Sequence, residues 1–264
     1  MKVDIVESIN EIKRDNLRGL LAAGKRADNR GMHDYRAISV QHGVIPNAEG
    51  SALASIGKSQ VMAGIKFGIS VPFADKPDEG VLSTSADLLP IASHLFETGP
   101  PGEEAIELAR VVDRGIRSAE IIDLKSFFIE EGKALSIYVD LYVLDHDGNL
   151  IDCSALAAMA ALKCARRPKV EEGKIVWGEY AGSLPLAGSV VACTFGKLGD
   201  RSFIDPTLDE EKGMDCRLTL ATSGSNICAG QKGGWGSFSE KDILEFADIS
   251  LEKAKELESM LGQA

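Results

Sequence analysis

The sequence lacks the features that mark a membrane protein, a disulfide-rich domain or a zinc protein. No apolar run approaches the roughly 18 residues that a membrane-spanning helix needs. Five cysteines are spread through the 264 residues, their number is odd, and no C-x-x-C pair occurs. This spacing argues against a disulfide framework and a zinc site, and it favours reduced thiols in a cytoplasmic protein.

An excess of positive charge is also missing. The formal net charge is −11, so the surface as a whole is not suited to coating a polyanion, whose phosphates need lysine and arginine. Any contact with nucleic acid is therefore expected to use a local basic patch at a defined place. Residues 1–21 carry acids among their apolar positions, which predicts an amphipathic helix and argues against a signal peptide.

The hydrophobic content of 44% is sufficient for one large folded unit or two smaller ones. Strand-like segments are followed by helical periodicity twice along the chain, which predicts an α+β protein of two tandem sheet-and-helix halves packed as one unit. A polar, turn-rich stretch separates the halves. The predicted division is an N-terminal helical extension at 1–29, a first half at 30–168, a linker at 169–186, and a C-terminal half with the final helix at 187–264.

Turn and cap signals predict several boundaries within the first half. The first helix is expected to stop at Gly24, and Gly57–Lys58 is expected to form a hairpin turn. Residues 85–97 are a candidate helix, and "TGPPGEE" is expected to open a long helix from Glu103 to about Ile122. The segment "ALSIYVDLYVLD" predicts a strand, and "SALAAMAALKCA" predicts a buried helix.

The second half is predicted to hold four strands and a final helix. The strands are "LAGSVVACTFG", "RSFID", "CRLTLAT" and "NICAGQKG". The helix is expected to begin at Ser239, with Asp242 completing an N-terminal capping arrangement. Its predicted buried face comprises Ile243, Phe246, Ala247, Ala254, Leu257 and Leu261.

Two other short segments are expected to be structural. "KRADNR" at 25–30 is predicted to be a solvated loop. "AGQKGGWGS" at 229–237 lacks the strand–loop–helix spacing of a phosphate-binding loop, so a glycine-rich hairpin is predicted there.

The segment "LDHDGNLIDCS" at 144–154 gathers acids, a histidine and a cysteine. A calcium loop counted from Asp145 fails, because its fourth residue is already Gly148 and its twelfth is Leu156 instead of glutamate. His146 has no second histidine or cysteine at ligand spacing, and nothing nearby would activate a cysteine nucleophile. The pattern therefore favours a turn that leads into a helix at Asp152 or Ser154.

The long helix from Glu103 carries a basic stripe. At 100° per residue, Arg110, Arg114 and Arg117 fall within about 60° of one another, opposite the apolar face. Guanidinium groups on one exposed stripe suit bidentate contacts with phosphate. The alternative is a set of surface ion pairs, with Glu107 and Asp113 as partners.

Several long segments resemble one family. They are "NAEGSALASIGKSQVMAGIK", "FETGPPGEEAIELARVVDRGIRSAEIID", "YVDLYVLDHDGNLIDCSALAAMAALK" and "FIDPTLDEE". They are similar to RNase PH-like proteins, and more narrowly to the non-catalytic RNase PH-like ring subunit of the archaeal exosome. The resemblance implies a two-part RNase PH-like fold. It also implies a hexameric ring that alternates with a catalytic homologue, RNA-binding cap subunits, and 3′-to-5′ phosphorolytic RNA decay by the assembly.

The resemblance also implies a missing phosphate cradle. Catalytic relatives have a Gly-Ser/Thr-Arg motif in the slot held here by "HDGNLIDCS", and this chain has no arginine between Arg117 and Arg166. Asp145, Asp147 and Asp152 lie around the slot in the sequence. Like charges about 4 Å apart repel by roughly 1 kcal/mol in water and roughly 4 kcal/mol near a protein surface, so phosphate is expected to be repelled. No catalytic residue, metal or cofactor is therefore predicted.

The acidic residues of the family's active site are less altered in this chain than the phosphate cradle. Acids remain here as Glu210, Glu211 and Asp215, while Arg30 and Arg36 stand at family-typical positions. "RADNRG" at 26–31 departs from the Asp-Gly-Arg that is usual near the start of family members.

The resemblance implies that Arg110, Arg114 and Arg117 help to hold the 3′ end of single-stranded RNA beside the catalytic partner. Two alternatives stay open, a self-sufficient phosphorolytic exoribonuclease and a purely architectural subunit without RNA contact.

Overall fold

Alternating apolar residues in the first half build a mixed sheet. In this computed structural model the backbone is described for residues 2–262 and the side chains for residues 12–262. The strand order is β1-β2-β3-β6-β4, with β5 paired to β6, and only the β4–β6 pair is parallel. The strands are β1 (Ile38–His42), β2 (Gly50–Ile56), β3 (Ser59–Ser70), β4 (Val81–Leu88), β5 (Phe128–Glu130) and β6 (Lys133–Asp145).

Three α-helices belong to this part of the chain. They are α1 (Lys2–Ala22), α2 (Glu103–Ser118) and α3 (Leu150–Lys163), and a short 3-10 helix spans Leu124–Phe127. The α1 helix ends as predicted before Gly24, which has φ 72°. The Gly57–Lys58 hairpin is also confirmed, because β2 and β3 pair from Ile56 and Ser59.

The second half contains a hairpin, a four-stranded sheet and two helices. The sheet order is β10-β9-β11-β12, and all its pairs are antiparallel. All four strands predicted here are confirmed. The elements are β7 (Arg166–Glu171), β8 (Lys174–Ser183), β9 (Val191–Leu198), β10 (Arg201–Ile204), α4 (Leu208–Gly213), β11 (Cys216–Ser223), β12 (Asn226–Gly234) and α5 (Glu240–Met260).

The α3 helix joins the two halves. It packs against β2 and β3 on one side and against β9 on the other, and nearly all its residues from Ile151 to Leu162 are buried. Gly50 lets β2 approach this helix closely, since a Cβ added there would lie 2.4 Å from the carbonyl oxygen of Ala161. The predicted buried helix is therefore confirmed, although it begins at Leu150, ahead of Asp152 and Ser154.

Several sequence expectations about the elements need correction. Residues 85–97 are not a helix: β4 continues to Leu88 and turns follow, because Pro90 disfavours helical backbone before it. The α2 helix ends at Ser118, before its predicted end at Ile122. Just beyond Ser118, Glu120 takes φ 49°.

Two further corrections concern the predicted linker and loop. Most of the linker forms the β7–β8 hairpin, because Glu172 and Gly173 both have positive φ, as a tight primed turn requires. The predicted solvated loop at 25–30 contains Arg26, which is buried at 2% exposure.

The final helix follows its cap signal. Ser239 and Asp242 form the predicted capping box. Burial begins at Phe246, which stacks on Phe195 with ring centroids 4.2 Å apart. Ile243, one turn earlier, is 47% exposed, so its predicted burial was wrong. Within residues 2–262, no helix is long and apolar enough to cross a membrane.

Candidate nucleic-acid interface

The α2 helix presents its arginines on the side away from the core. Leu108, Val112 and Ile116 are buried, while Arg110, Arg114 and Arg117 are all exposed. The three arginines line one groove, which we call the arginine groove, together with residues 82–84 of β4. The geometry therefore places the three predicted cations on one surface.

The three arginines differ in how they are held. Arg117 donates to Asp113 at 2.8 Å and to the carbonyl oxygen of Leu82 at 2.7 Å. Arg114 donates to Oε1 of Gln231 in β12 at 3.2 Å. Arg110 has no hydrogen bond or ion pair to the side chains that the structure describes. Arg110 is thus the arginine with most freedom to meet a ligand.

The ion-pair alternative holds for one arginine only. Arg117 pairs with Asp113 four residues earlier, as the sequence suggested. Glu107 does not pair with Arg110. It pairs with Arg217 of β11 at 2.6 Å, which ties α2 to the second half.

The turn that connects β6 to α3 lies close to α2. Asn149 caps α3 with left-handed φ 56°, and Gly148 has φ 89°. A Cβ at Gly148 would lie 2.4 Å from the carbonyl carbon of Thr207, so glycine is required for close packing against the second half. The predicted turn is confirmed and is pressed against α4.

Backbone N–H groups at the start of a helix are natural ligands for anions. In this chain side chains of the protein accept from two N–H groups of the turn that leads into α3, one of them that of the capping residue Asn149. Asn149 N donates to Oε1 of Glu211 at 2.9 Å, and Asp147 N donates to Oγ of Ser59 at 2.9 Å. The Glu211 carboxylate therefore lies against the N-terminal end of α3.

The ionisation of Glu211 depends on its burial. Burial raises its pKa to about 7, although the Asn149 N–H and the charges of Arg217 and Arg36 lower it. Glu211 lines a pocket with Glu104, Glu107 and other residues. Arg217 also lines the pocket, but its guanidinium group is paired with Glu107 at 2.6 Å.

The three aspartates of the slot are arranged differently from the prediction. Asp145 is exposed and Asp147 is partly exposed, but Asp152 is fully buried. Asp152 accepts from Tyr35 at 2.9 Å and from Thr194 Oγ1 at 2.7 Å. Burial raises its pKa to about 6 despite these bonds. Asp152 therefore holds the two halves together and does not line the slot.

A cation from outside the segment 117–166 lies at the slot. Arg36 donates to the carbonyl oxygens of Asp147 at 2.6 Å and Gly148 at 3.1 Å. Its charge is matched by fully buried Asp205 at 2.7 Å. Burial acts to raise the pKa of Asp205, but hydrogen bonds and charge from Arg36 outweigh it and lower the pKa. This cation is therefore already paired.

The remaining family-like acids are also used within the fold. Glu210 pairs with Arg26 at 2.6 Å in a fully buried site and completes a capping box with Thr207. Asp215 pairs with Arg14 and accepts from the N–H of Gly199 at 2.8 Å. Within the part of the chain that the structure describes, no three His, Cys, Asp or Glu side chains converge as metal ligands.

Comparison with known families agrees with this architecture. Residues 34–168 match the 3′ exoribonuclease family, domain 1, and residues 188–253 match domain 2 of that family. The chain belongs to the 3′ exoribonuclease (RNase PH) family. The predicted family and the predicted RNase PH-like fold are thereby confirmed.

Relatives within the RNase PH family are similar over nearly the whole chain. Exosome complex component Rrp42 of Thermococcus gammatolerans is 44% identical over 98% of this chain and 97% of its own length. A solved structure of the Archaeoglobus fulgidus exosome with RNA bound to the active site contains a chain with 41% identity and a TM-score of 0.89. That match covers 96% of this chain and 99% of the other. An archaeal exosome core contains a chain with 38% identity and a TM-score of 0.86, over 99% of both chains.

Proposed function

We propose that this chain is the non-catalytic RNase PH-like subunit of an archaeal exosome, a complex that degrades RNA from its 3′ end by phosphorolysis. The full-length similarity to Rrp42 components and to chains of archaeal exosomes supports this role. In the proposed assembly the subunit alternates with a catalytic RNase PH-like homologue in a hexameric ring, which carries RNA-binding cap subunits and works in the cytoplasm.

The observation that carries the non-catalytic assignment is the contact between Glu211 and Asn149. Phosphorolysis needs a cradle for inorganic phosphate at the start of α3. Here Asn149 and Leu150 follow Gly148, where catalytic relatives have Ser/Thr and Arg. The carboxylate of Glu211 accepts the helix N–H that would face phosphate. At this site Arg36 is paired with Asp205, and the N–H group of the residue that caps α3 is engaged by Glu211.

The arginine groove is the proposed RNA contact. Its three guanidinium groups lie together on the surface of an acidic protein, so they form the local basic patch that RNA binding would need. Arg110 and Arg114 keep exposed donors for phosphate oxygens, and Arg117 is oriented by Asp113. The subunit thus holds the RNA 3′ end and shapes the neighbouring site while the partner supplies the chemistry.

The decisive experiment compares the chain alone with a ring reconstituted from this chain and its catalytic homologue. Each sample receives single-stranded RNA with inorganic phosphate, and released nucleoside diphosphates are measured. We expect release by the ring and none by the chain alone. Release by the chain alone would establish a self-sufficient exoribonuclease and refute the proposal.

A further inference from the structure

One tryptophan lies in a setting that neither the fold nor the proposed function uses. Trp235, just after β12, is fully exposed, with a relative exposure of 103%. Its backbone is nevertheless fixed, because the N–H groups of Trp235 and Gly236 both donate to the carbonyl oxygen of Asp215, at 3.1 and 3.0 Å. A Cβ at Gly234 would lie 2.7 Å from that oxygen. The indole is therefore held outward on rigid, closely packed backbone.

Cations surround the pocket beside this ring. Arg14, Lys197 and Lys212 line it together with Trp235, and Asp215 is the acid among the lining residues. Arg14 is paired with Asp215, and Lys197 is paired with Asp242 at 2.7 Å. Lys212 is exposed and has no ion pair among the side chains that the structure describes. Its ammonium group is therefore available to an anion.

A second ammonium group is held near the end of the same strand. Lys232 lies three residues before Trp235, and its Nζ donates to the carbonyl oxygen of Gly234 at 2.6 Å. Lysine Nζ has three donors, so this bond leaves two for a ligand. We call Trp235, Lys212 and Lys232 the tryptophan patch.

An exposed aromatic face beside ammonium groups matches the two parts of a nucleotide. The base stacks on the ring, and the phosphate meets the cations. We propose that the tryptophan patch binds a nucleotide of single-stranded RNA, with the base on Trp235 and the phosphate at Lys212 and Lys232. Stacking does not depend on base identity, so contact without sequence preference is expected.

The surroundings of the ring favour RNA over a protein partner. The core of a protein interface is enriched in aromatic and apolar residues and depleted in lysine. Trp235 instead stands between glycines, with lysines nearby. The patch shares no lining residue with the arginine groove, so it is a separate contact and goes beyond the proposed function.

The chain offers a direct optical test, because it has two tryptophans. Trp177→Phe leaves Trp235 as the single reporter. Its fluorescence is titrated with an oligoadenylate of about ten nucleotides, a length within the range of known single-strand sites. We expect saturable quenching, with an affinity that falls as salt is raised.

Trp235→Phe provides the matched control. It leaves Trp177, which is 66% exposed and lies 5.7 Å from the Nζ of Lys66, so it too is an exposed indole near a lysine. We expect no saturable quenching of Trp177. Equal quenching of both reporters would show non-specific association and overturn the proposal.

Two further measurements define the ligand. Replacing Lys212 and Lys232 by alanine should weaken oligoadenylate binding on the order of tenfold, whereas replacement by arginine should preserve it. Unchanged affinity in the alanine variant would refute the phosphate contact. Equally tight binding of AMP would assign the patch to a free nucleotide and refute the RNA assignment.

Reconstitution of the ring tests whether RNA or a protein subunit occupies the tryptophan patch. In the ring with the catalytic homologue, Trp235 should keep its emission and its quenching by oligoadenylate. A shift of its emission on assembly, with loss of quenching, would identify the patch as a subunit interface and overturn the proposal. Loss of catalytic activity in the ring would not affect this readout, so the two proposals fail separately.

Discussion

At the scale of residues, the start of α3 carries a carboxylate contact that the proposed function depends on. Asn149 N donates to Glu211, and burial raises the pKa of that glutamate to about 7. Asp152 nearby also has a pKa raised by burial, to about 6. Folding therefore raises the pKa of each acid above its ordinary value, which is 4.5 for Glu211 and 3.8 for Asp152. The stability of the fold is therefore linked to pH through these two residues.

The sign of the pH effect follows from the raised pKa of Glu211. Its contribution to stability is fully present below about 4.5 and is lost as the pH rises through about 7. Glu211→Gln should remove this loss. As the pH rises from 5 to 8, the unfolding free energy of the variant should therefore gain on the order of 2 kcal/mol relative to that of the native chain. Urea denaturation at the two pH values measures the difference.

Glu104→Gln is the matched control for that prediction. Glu104 lines the same pocket but is exposed, so its replacement should leave the pH dependence of the unfolding free energy unchanged. If Glu211→Gln follows the native pH profile as closely as Glu104→Gln does, the buried carboxylate is not responsible.

Two glycines should respond oppositely to the same substitution. Gly148→Ala should lower the unfolding free energy by several kcal/mol, on the order of 3, because φ is 89° and the new Cβ would lie 2.4 Å from Thr207 C. Gly115→Ala should raise it by about 1 kcal/mol, since a Cβ inside α2 would meet Ala221 at an ordinary 3.5 Å. Thermal and urea unfolding measure both. A stabilised Gly148→Ala variant would contradict the close packing of the turn.

At the scale of elements, α2 combines a structural face with a basic face. Its buried side holds Leu108, Val112 and Ile116 in the core, and its outer side lines the arginine groove. Glu103 and Glu104 in its first turn and Arg117 in its last turn have the charge signs that the helix dipole favours. The basic stripe can therefore be altered without removing core contacts.

Removing arginines from the groove should weaken RNA binding by the reconstituted ring. Arg110→Ala and Arg114→Ala should each lower affinity severalfold and reduce the salt slope by about one, because each removes a phosphate contact. Arg117→Ala should weaken binding less, since that guanidinium is already engaged by Asp113 and Leu82. Fluorescence anisotropy with labelled RNA at several salt concentrations gives both quantities.

Lys133→Ala removes the same charge outside the groove, where Lys133 pairs with Glu130 at 2.6 Å. The RNA affinity and the salt slope of the ring that carries Lys133→Ala should match those of the native ring. If all three arginine variants behave like Lys133→Ala, the groove has an architectural role only.

For the whole molecule, a few buried polar contacts join the two halves. Asp152 accepts from Thr194, and Asp205 pairs with Arg30 and Arg36 at 2.7 Å each. Around them, the alanines of α3 lie between the first sheet and β9. Separation of the halves would expose these charges and this apolar surface together, so the halves are expected to unfold as one unit.

Asp205→Asn should destabilise the entire fold. It removes the buried counter-charge that Arg30 and Arg36 share and leaves them only the more exposed carboxylates of Asp28 and Asp147, at a cost of about 3 kcal/mol. Asp113→Asn breaks the exposed pair with Arg117 and should cost at most about 1 kcal/mol. Urea denaturation at neutral pH compares them. Equal small effects would mean that the pair does not hold the halves together.

Much of the architecture was predictable because its signals are local. Ser239 and Asp242 marked the start of α5, Gly57–Lys58 marked a hairpin, and helical spacing placed three arginines on one face of α2. The β7–β8 hairpin escaped prediction because its strands are almost wholly polar or exposed, so apolar alternation was absent. The candidate helix at 85–97 failed because β4 gains its stability from pairing with β6, which a local pattern does not contain.

Local periodicity and capping were sufficient to assign most of the elements and to place the basic stripe, because these signals act over a few neighbouring residues. The character of the α3 turn depended on residues far away in the chain. Glu211 reaches Asn149 across 62 residues, and Arg36 reaches Asp147 across 111. Such partners are set by the packing of two sheets around one helix, and that packing alone decided that the N–H group of Asn149 and the cation of Arg36 are already engaged.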